Sequence, residues 1–354
     1  MGAITFAQPY PDPRSDKIAR GLAARGISVR RFLIDFDAAW QTTFSPGAFE
    51  GVRHLPDLLR RHVYLAALSG LGRRALRRIV ERLPGTVVRT STPDLVGAAA
   101  VRTGKRIVAE VYDTWSLYDA AHEKGLEGRI RQRIMSRAER AVHEDADLVV
   151  YTTQAMLDYA RTRYRMREAI VVPNAVLAAD LPKAPLPKLS EDGRSHCVYV
   201  GLVQPWGLAG SRSLLPFFRE LSKEHVVHVY GVTEKAKLAE VRRELEGVAV
   251  WHDPVPQERL LRELTQYDFG LNLLPRIDVA RFETVIPNKM YEYLGAGIPV
   301  LVSPYRAMVE FVRKYECGTV YREGTPTGRV PLRPEFLLDT YLVKYADVIR
   351  RLGS

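Results

Sequence analysis

The chain has 354 residues, of which 46% are hydrophobic and 26% are charged, with a formal net charge of +11 at pH 7. This length suits about two domains, and the composition is that of a globular protein. Its apolar runs are far shorter than the roughly 20 residues that a transmembrane helix needs. The start of the chain lacks a signal-peptide pattern, and Cys197 and Cys317 have no metal or redox spacing. We therefore expect buried thiols and a reduced, cytoplasmic setting.

Positive charge is concentrated before Asn174, and the remainder of the chain is nearly neutral. The most basic stretch, His54 to Leu83, combines arginines and leucines at helical spacing and is interrupted near Gly70 and Gly72. Such a stretch is either a solvated face over a core or a basic amphipathic surface on anionic lipid. The asymmetry predicts an anionic partner for the first half, which includes an anionic membrane surface at the inner face of the membrane.

Strand-like and helix-like segments alternate along the first half. A strand at Ala3–Ala7, a proline-rich loop at Gln8–Arg14, a helix at Asp16–Arg25 ended by Gly26 and a strand at Ile27–Phe36 together resemble a βαβ unit. Further strands and helices are predicted at Thr86–Arg89, Arg106–Tyr112, Gly128–His143, Asp147–Thr152, Gln154–Arg163 and from Ile170. The first strand is not followed by a G-x-G-x-x-G motif, which argues against a dinucleotide site there.

Acidic residues follow two of these strands. Asp35, Phe36 and Asp37 form a D-x-D triplet, a pattern that some enzymes use to hold a divalent ion, but its place at the end of the second strand disfavours a metal site. Asp113 follows the strand that ends near Tyr112. Because α/β sheets bind ligands at the carboxyl ends of their strands, Asp113 is the candidate catalytic residue; alternatively, it caps the next helix.

The segment Ala175–Gly193 contains several prolines and lysines without periodicity, as a linker does. Strands are predicted after it at His196–Gly201, Val226–Gly231, Val248–His252, Phe269–Leu274, Ile298–Val302 and Thr319–Tyr321. Helices are predicted at Arg212–Lys223, Glu234–Leu245, Gln257–Thr265, Lys289–Leu294, Ala307–Tyr315 and within Arg333–Leu352. This alternation predicts α/β architecture with two Rossmann-like, doubly wound parallel sheets, with domains at 1–178 and 179–332 and a final helix at 333–354.

The stretch Ile286–Ser303 begins as a helix after Pro287 and ends as a buried strand. Asn288 and Lys289 stand at the start of the helix, where free N–H groups and the helix dipole favour an anion. Glu292 lies one turn later on the same face. These residues are suited to hold a phosphate and a sugar hydroxyl, although an ordinary capped helix before a core strand would have the same pattern.

The motif P-x-K-x-x-E-Y-x-x-x-G-x-P-V in this stretch resembles the donor-site signature of GT-B glycosyltransferases of the family-4-like group. The segment from Arg137 to Asn174 resembles the end of their first domain. The resemblance implies two domains facing across a cleft, the first for the acceptor and the second for a nucleoside-diphosphate sugar, with the final helix packing back on the first domain. It places Glu292 on the ribose and Lys289 on the diphosphate.

Three further positions receive roles from this resemblance. Gly201 ends the first strand of the second domain, where a side chain would obstruct the approach of backbone to the ligand. The segment His252–Pro256, with His252 and Val255, would line the base. At the end of the strand before Asp113, Tyr112 stands where the family usually has a histidine.

The sequence departs from the family in the groups that meet the diphosphate. The family's usual arginine and lysine are missing after Gly201, so Lys289 would act with Arg276 or Arg281 from the preceding loop. Glu283 lies nine residues before Glu292 instead of eight, and is either a shifted donor-site residue or a surface residue.

The sequence thus predicts a glycosyltransferase that moves a sugar from a nucleoside-diphosphate sugar to a saccharide, lipid-linked or small-molecule acceptor. Retention of configuration, no metal and no cofactor are implied by the resemblance. The alternatives are a nucleotide-sugar epimerase of the same fold and a non-catalytic basic protein on a membrane or nucleic acid. No nucleic-acid-binding motif is apparent in the sequence.

Overall fold

The computed structural model describes residues 2–10, 12–35, 49–62, 64, 67, 70–91, 94–117, 125–189, 192–203, 214–274 and 280–354. It divides into two compact units. The first consists of Met1–Pro173, Val279–Arg281 and Leu338–Ser354, and the second of Asn174–Asp278 and Phe282–Leu337.

The first unit is built on a parallel sheet in the order β3-β2-β1-β4-β5-β6-β7. Its strands are β1 (Ala3–Gln8), β2 (Ser28–Asp35), β3 (Gly51–His54), β4 (Val87–Ser91), β5 (Arg106–Val111), β6 (Leu148–Tyr151) and β7 (Ala169–Val171). The described helices of this unit are α1 (Pro13–Ala23), α2 (Asp57–Arg61), α3 (Leu71–Glu81), α4 (Leu95–Ala100), α5 (Gly125–Asp145) and α6 (Gln154–Arg161), followed at the end of the chain by α12 (Leu338–Gly353). The central strands are buried on both faces, as parallel strands covered by helices must be.

Helix α12 lies against α1 and β1 of the first unit. Arg25 ties the two helices together, because its Nη2 donates to the Asp339 carbonyl at 2.9 Å and to Asp339 Oδ1 at 3.2 Å. The hydroxyl of the fully buried Tyr345 donates to Glu110 Oε1 at 3.3 Å.

The second unit is built on a parallel sheet in the order β10-β9-β8-β11-β12-β13. Its strands are β8 (Ser195–Leu202), β9 (His225–Val232), β10 (Val250–His252), β11 (Phe269–Asn272), β12 (Val300–Val302) and β13 (Gly318–Val320). Its described helices are α7 (Leu215–Leu221), α8 (Leu238–Leu245), α9 (Gln257–Leu264), α10 (Asn288–Gly295) and α11 (Arg306–Tyr315). One face of the sheet packs with α7 and α8 in a hydrophobic cluster that includes Tyr199 and Phe218.

The predicted class, two doubly wound parallel sheets, is confirmed. Helix α1 begins at Pro13 and not at Asp16, because Asp12 accepts the N–H groups of Arg14 and Ser15 and Pro13 suits the first turn. The basic segment forms separate helices, and Gly70 adopts φ +79° at the break.

The sequence did not predict β3 or α4. Strand β3 is a four-residue edge strand with two exposed residues, and α4 has only six residues, so neither offers enough positions for a periodic pattern. Both cysteines are buried. No helix of the described ranges is long and apolar enough to span a bilayer.

Candidate functional site

The start of α10 lies beside the end of β8, so that the structure brings Lys289 and Gly201 together. Lys289 Nζ lies 3.9 Å from the centroid of the Tyr199 ring. A Cβ added to Gly201 would lie 3.2 Å from Lys289 Nζ, and Gly201 adopts φ +138°, which side chains rarely tolerate. The backbone conformation therefore favours glycine there, and an added Cβ would also displace the flexible Lys289 ammonium group slightly.

Tyr293 fixes the position of α10 against the sheet. Its ring lies so close to Gly270 that an added Cβ there would be 2.2 Å from the ring, and its hydroxyl accepts the N–H of Val200 at 3.0 Å. Burial raises the pKa of Tyr293 well above its ordinary value. Tyr293 is thus a neutral side chain that connects the helix that carries Lys289 to β8, the strand that contains Gly201.

Asn288, the first residue of α10, has an unusual side chain. Its Oδ1 is buried and has no hydrogen-bond partner in the part of the chain that the structure describes. The first N–H groups of a helix lack partners within the helix, and the dipole favours an anion at the same place. Lys289 and these N–H groups therefore form an electropositive start to the helix, and Asn288 Oδ1 beside them is an acceptor for a donor group such as a ligand hydroxyl.

Glu292 lies one turn further along α10 and is only 7% exposed. Its Oε1 accepts from Gln257 Nε2 at 3.0 Å, which links the carboxylate to the start of α9. A carboxylate accepts several hydrogen bonds, so Glu292 keeps capacity for a hydroxyl donor beside the amide.

The predicted base-lining segment begins at the end of β10. The His252 ring stacks on Tyr230, with centroids 4.5 Å apart and an interplanar angle of 12°. His252 Nε2 lies 2.9 Å from His228 Nδ1. Val255 is half-buried in the turn that leads from His252 to Gln257.

The remaining predicted donor-site residues are not gathered here. Glu283 is exposed and accepts the N–H of Arg306 at 2.8 Å, so that it caps the start of α11. Arg276 lies outside the described residues, and of Arg281 only the backbone, in the turn Ala280–Glu283, is described. Lys289 is therefore the cation that the described residues place beside Gly201.

The carboxyl ends of the central strands in the first unit hold a buried ionic cluster of Arg14, Arg89 and Glu110. The three side chains are at most 3% exposed, and Glu110 Oε2 lies 2.8 Å from Arg14 Nε and 2.9 Å from Arg89 Nη2. Burial alone would raise the pKa of Glu110, but the two guanidinium groups outweigh it and lower this pKa to about 2.

Asp113 follows β5 next to this cluster and is half-buried. Its neighbour Tyr112 is bound into the cluster, because the Tyr112 hydroxyl accepts from Arg89 Nη2 at 2.8 Å. The Asp113 carboxylate forms no hydrogen bond or ion pair with the described residues. No hydrogen bond among these residues therefore supports the alternative that Asp113 caps the next helix. The pKa of the nearby Tyr10 is raised by burial and by Tyr112, Asp12, Asp113 and Asp94.

Glu139 on α5 forms hydrogen bonds with Ser116 and so holds the loop that contains Asp113. This carboxylate is fully buried and accepts the N–H of Ser116 at 2.8 Å. Burial raises the pKa of Glu139 to about 7, although the hydrogen bonds from Ser116 oppose that shift. One turn later, burial lowers the pKa of His143 to about 4.

The D-x-D triplet has no metal-site geometry in its described part. Asp35 forms an ion pair with Arg60 and lies 2.9 Å from His54 Nδ1. Phe36 and Asp37 lie outside the described residues. Within the described ranges, no three histidine, cysteine, aspartate or glutamate side chains are grouped as metal ligands would be.

Comparison with known proteins relates the first part of the chain to one family and the whole chain to one fold. Residues 12–175 match the family model of the glycosyl transferase 4-like domain. Sucrose-phosphate synthase from Thermosynechococcus elongatus has a similar structure, with a TM-score of 0.62 at 13% identity, covering 100% of this chain and 92% of that one. Residues 12–175 thus match a glycosyl transferase 4-like domain, and the chain has the GT-B fold.

Two further solved structures have a similar fold. WaaG, a glycosyltransferase involved in lipopolysaccharide biosynthesis, has a TM-score of 0.59 at 16% identity and covers 99% of this chain and 92% of that one. Anabaena HepE in complex with UDP and glucose has a TM-score of 0.58 at 14% identity and covers 99% and 89%. At these identities the likeness shows the fold. None of the curated protein sequences matches the chain.

Several residues that contact the predicted site residues, or that lie in the ionic cluster, were not predicted from the sequence. The cation–π partner Tyr199 and the amide partner Gln257 are common residue types without a local signal. By contrast, Glu110 and His228 are polar residues inside apolar strands, and such residues need buried partners. That signal could have found both.

Proposed function

We propose that this chain is a glycosyltransferase and that it binds a nucleoside-diphosphate sugar on its second unit, with the diphosphate at Gly201, Asn288 and Lys289. The observation that supports this most is the Lys289 ammonium, which forms no ion pair with the described residues and lies next to a glycine with φ +138°. A phosphate oxygen would receive the charge of Lys289 and the free N–H groups of α10. Glu292, held by Gln257, would accept from the ribose hydroxyls.

In the transfer step the acceptor hydroxyl forms a bond to the anomeric carbon as the bond from that carbon to the diphosphate oxygen breaks. Negative charge grows on the leaving diphosphate, which takes up the proton that the acceptor hydroxyl releases. Lys289 and the start of α10 would stabilise that charge, because their positive ends are already oriented before the reaction. No resident metal or cofactor has a part in this proposal. Asp113, which has no partner among the described residues, would contact the reacting sugar or the acceptor.

The acceptor class is proposed from the surface of the first unit. Helices α2 and α3 expose Leu58 and Leu71, at 74% and 56%, beside exposed arginines. A surface of this kind binds anionic lipid headgroups through charge and inserts its leucines at the interface. We therefore propose a saccharide or lipid-linked acceptor at the cytoplasmic face of a membrane, as in polysaccharide biosynthesis. Sedimentation with anionic and with neutral vesicles tests this, and equal binding to both would contradict it.

We also propose, from the family resemblance, that the anomeric configuration of the sugar is retained in the product. The product's anomeric proton, followed by NMR, tests it directly. The epimerase and the non-catalytic alternatives are not favoured by the family match and the structural neighbours.

The experiment that tests the donor site measures thermal stability with UDP, GDP, ADP, dTDP and CMP, with and without a divalent ion. A nucleotide at 100 times its dissociation constant should stabilise the native state by about 2.7 kcal/mol. Glu292→Ala should lose this shift, whereas Glu310→Ala, which removes an exposed carboxylate paired with Arg306, should keep it. No shift with any nucleotide, or an unchanged shift in Glu292→Ala, would contradict the proposal.

A further inference from the structure

A continuous row of histidines crosses the second sheet on one face. His196, His228 and His252 lie on β8, β9 and β10, and the strand register brings them together. His196 Nδ1 lies 2.9 Å from His228 Nε2, and His228 Nδ1 lies 2.9 Å from His252 Nε2. His196 and His228 are both 7% exposed, so each ring nitrogen in these contacts depends on its neighbour for a hydrogen bond.

Asp192 determines the direction of every hydrogen bond in this row. Its Oδ1 lies 3.2 Å from His196 Nε2 and also accepts the N–H of Arg194 at 2.8 Å. The Arg194 N–H and the His196 ring lower the pKa of Asp192, so this group is a carboxylate that only accepts. His196 must then donate from Nε2, which leaves its Nδ1 to accept from His228 Nε2–H. By the same step, His228 Nδ1 accepts from His252 Nε2–H.

The free end of the row is His252 Nδ1. With the proton on Nε2, this nitrogen carries a lone pair, and it forms no hydrogen bond with any described residue. The ring cannot easily turn away, because it stacks on Tyr230, whose hydroxyl donates to Glu263 Oε2 at 2.6 Å. The structure therefore presents an oriented acceptor at the carboxyl end of β10.

Adding one proton to any of the three histidines changes His252 Nδ1 from a hydrogen-bond acceptor to a donor. If His252 is protonated, the proton sits on Nδ1. If His228 or His196 is protonated instead, that ring donates toward His252 Nε2, directly or through His228, and His252 must carry its own proton on Nδ1. In each singly protonated state His252 Nδ1 is thus a donor, and in the neutral state it is an acceptor.

We propose that His252 is a specificity-determining residue for the nucleobase of the donor, and that its unprotonated Nδ1 accepts a hydrogen bond from a ring N–H of the base. Asp192 acts through His196 and His228 as a positioning residue that fixes this tautomer. This inference rests on the proposed donor site of the second unit. It selects bases that offer a ring N–H, as uracil, thymine and guanine do, over cytosine and adenine, whose corresponding ring nitrogen accepts.

Two histidines of the row, His228 and His252, have their neutral forms favoured by burial. Burial lowers the pKa of His228 to about 4, with its neighbours His252 and His196 acting in the same direction against Asp192. Burial also lowers the pKa of His252, which Glu263 and Asp253 oppose. The acceptor at His252 is therefore present at neutral pH and is lost as the pH falls and the row gains a proton.

The first test is direct observation of the tautomers by nitrogen NMR of histidine-labelled protein at pH 7.5. We expect Nε2–H and unprotonated Nδ1 on His196, His228 and His252, and mixed tautomers in Asp192→Ala. Glu246→Ala, which removes an exposed carboxylate of the same unit, should match the wild type. A protonated Nδ1 on His252 in the wild type would overturn the inference.

The second test titrates UDP, GDP, CDP and ADP into wild type and His252→Phe, which keeps an aromatic ring over Tyr230. In the wild type we expect UDP or GDP to bind about tenfold or more tightly than CDP and ADP, with a shift of the His252 Nδ1 signal. The preference should fall in His252→Phe and as the pH drops from 7.5 to 5. Binding with an unchanged preference in His252→Phe would overturn this inference and leave the donor site standing. Failure of every nucleotide to bind would overturn both.

Discussion

The two units use buried charge in opposite ways. In the first unit Arg14, Arg89 and Glu110 are almost fully buried and bonded to one another, and Arg14 also donates to the Val172 and Pro173 carbonyls at 2.7 and 2.8 Å. In the second unit, Lys289 has an aromatic ring and no carboxylate as its neighbour among the described residues, and Asn288 Oδ1 has no partner there.

The charged groups of the first unit are bonded to one another and stabilise the fold, whereas those at the start of α10 are available to a ligand. A buried polar atom without a partner costs about 1–3 kcal/mol, so an arrangement that keeps one is stabilised when a ligand supplies the missing hydrogen bond. The ionic cluster of the first unit has no such deficit. We therefore expect substitutions in the cluster to act mainly on stability, and substitutions at the start of α10 to act mainly on binding.

The largest effect is expected from Arg89→Met. It leaves the buried Glu110 with Arg14 alone and should lower the free energy of unfolding by about 3–5 kcal/mol. Urea unfolding measures this. Arg77→Ala removes an exposed i, i+4 pair with Glu81 and should cost less than about 1 kcal/mol. Equal losses in the two variants would remove the distinction between the cluster and the surface.

A smaller, pH-dependent effect is expected from Glu139→Gln. Because the pKa of Glu139 is raised to about 7, the folded protein holds a proton that the unfolded chain releases above its ordinary pKa near 4.5. The resulting stabilisation is complete below pH 4.5 and is lost as the pH rises through 7, a change of about 3 kcal/mol. Wild type should therefore lose stability relative to Glu139→Gln between pH 5 and 8. Parallel stability curves would contradict this account of Glu139.

The next effect in size is expected from Gly201→Ala. The new Cβ would lie 3.2 Å from Lys289 Nζ at a backbone φ of +138°, which costs about 1–3 kcal/mol and displaces the ammonium group. Both the melting temperature and nucleotide affinity should fall. Gly104→Ala is the control, since an added Cβ there meets no atom within 4 Å. A Gly201→Ala protein with normal nucleotide affinity would show that the close approach at Gly201 is not needed.

The sequence predicts the fold well because its signals are local and repeated. Apolar runs of β-branched residues and helix periodicity predicted both sheets, and the Pro287–Glu292 spacing placed Asn288, Lys289 and Glu292 on one helix. The pairing of Gly201 with Lys289 could be expected from family resemblance alone, because the two residues are far apart in the chain.

Other features of the site depend on contacts between residues that are far apart in the sequence, which residue spacing cannot predict. The histidine row joins three strands through a register that the sequence does not state, and Gln257 meets Glu292 across two helices. Glu283 is a case in which the sequence left two alternatives open. Its spacing resembles that of a donor-site glutamate, but its carboxylate caps α11 instead.

In the proposed donor site, Lys289, which forms no ion pair with the described residues, binds the diphosphate of a sugar nucleotide. Calorimetric titration of the stabilising nucleoside diphosphate into wild type, Lys289→Ala and Lys314→Ala tests it most directly, because Lys314 also lies over a tyrosine ring, 4.9 Å from the centroid of Tyr315. We expect Lys289→Ala to bind about 10–100-fold more weakly with unchanged stability of the free protein, and Lys314→Ala to bind as the wild type does. Equal affinities for wild type and Lys289→Ala would contradict the account.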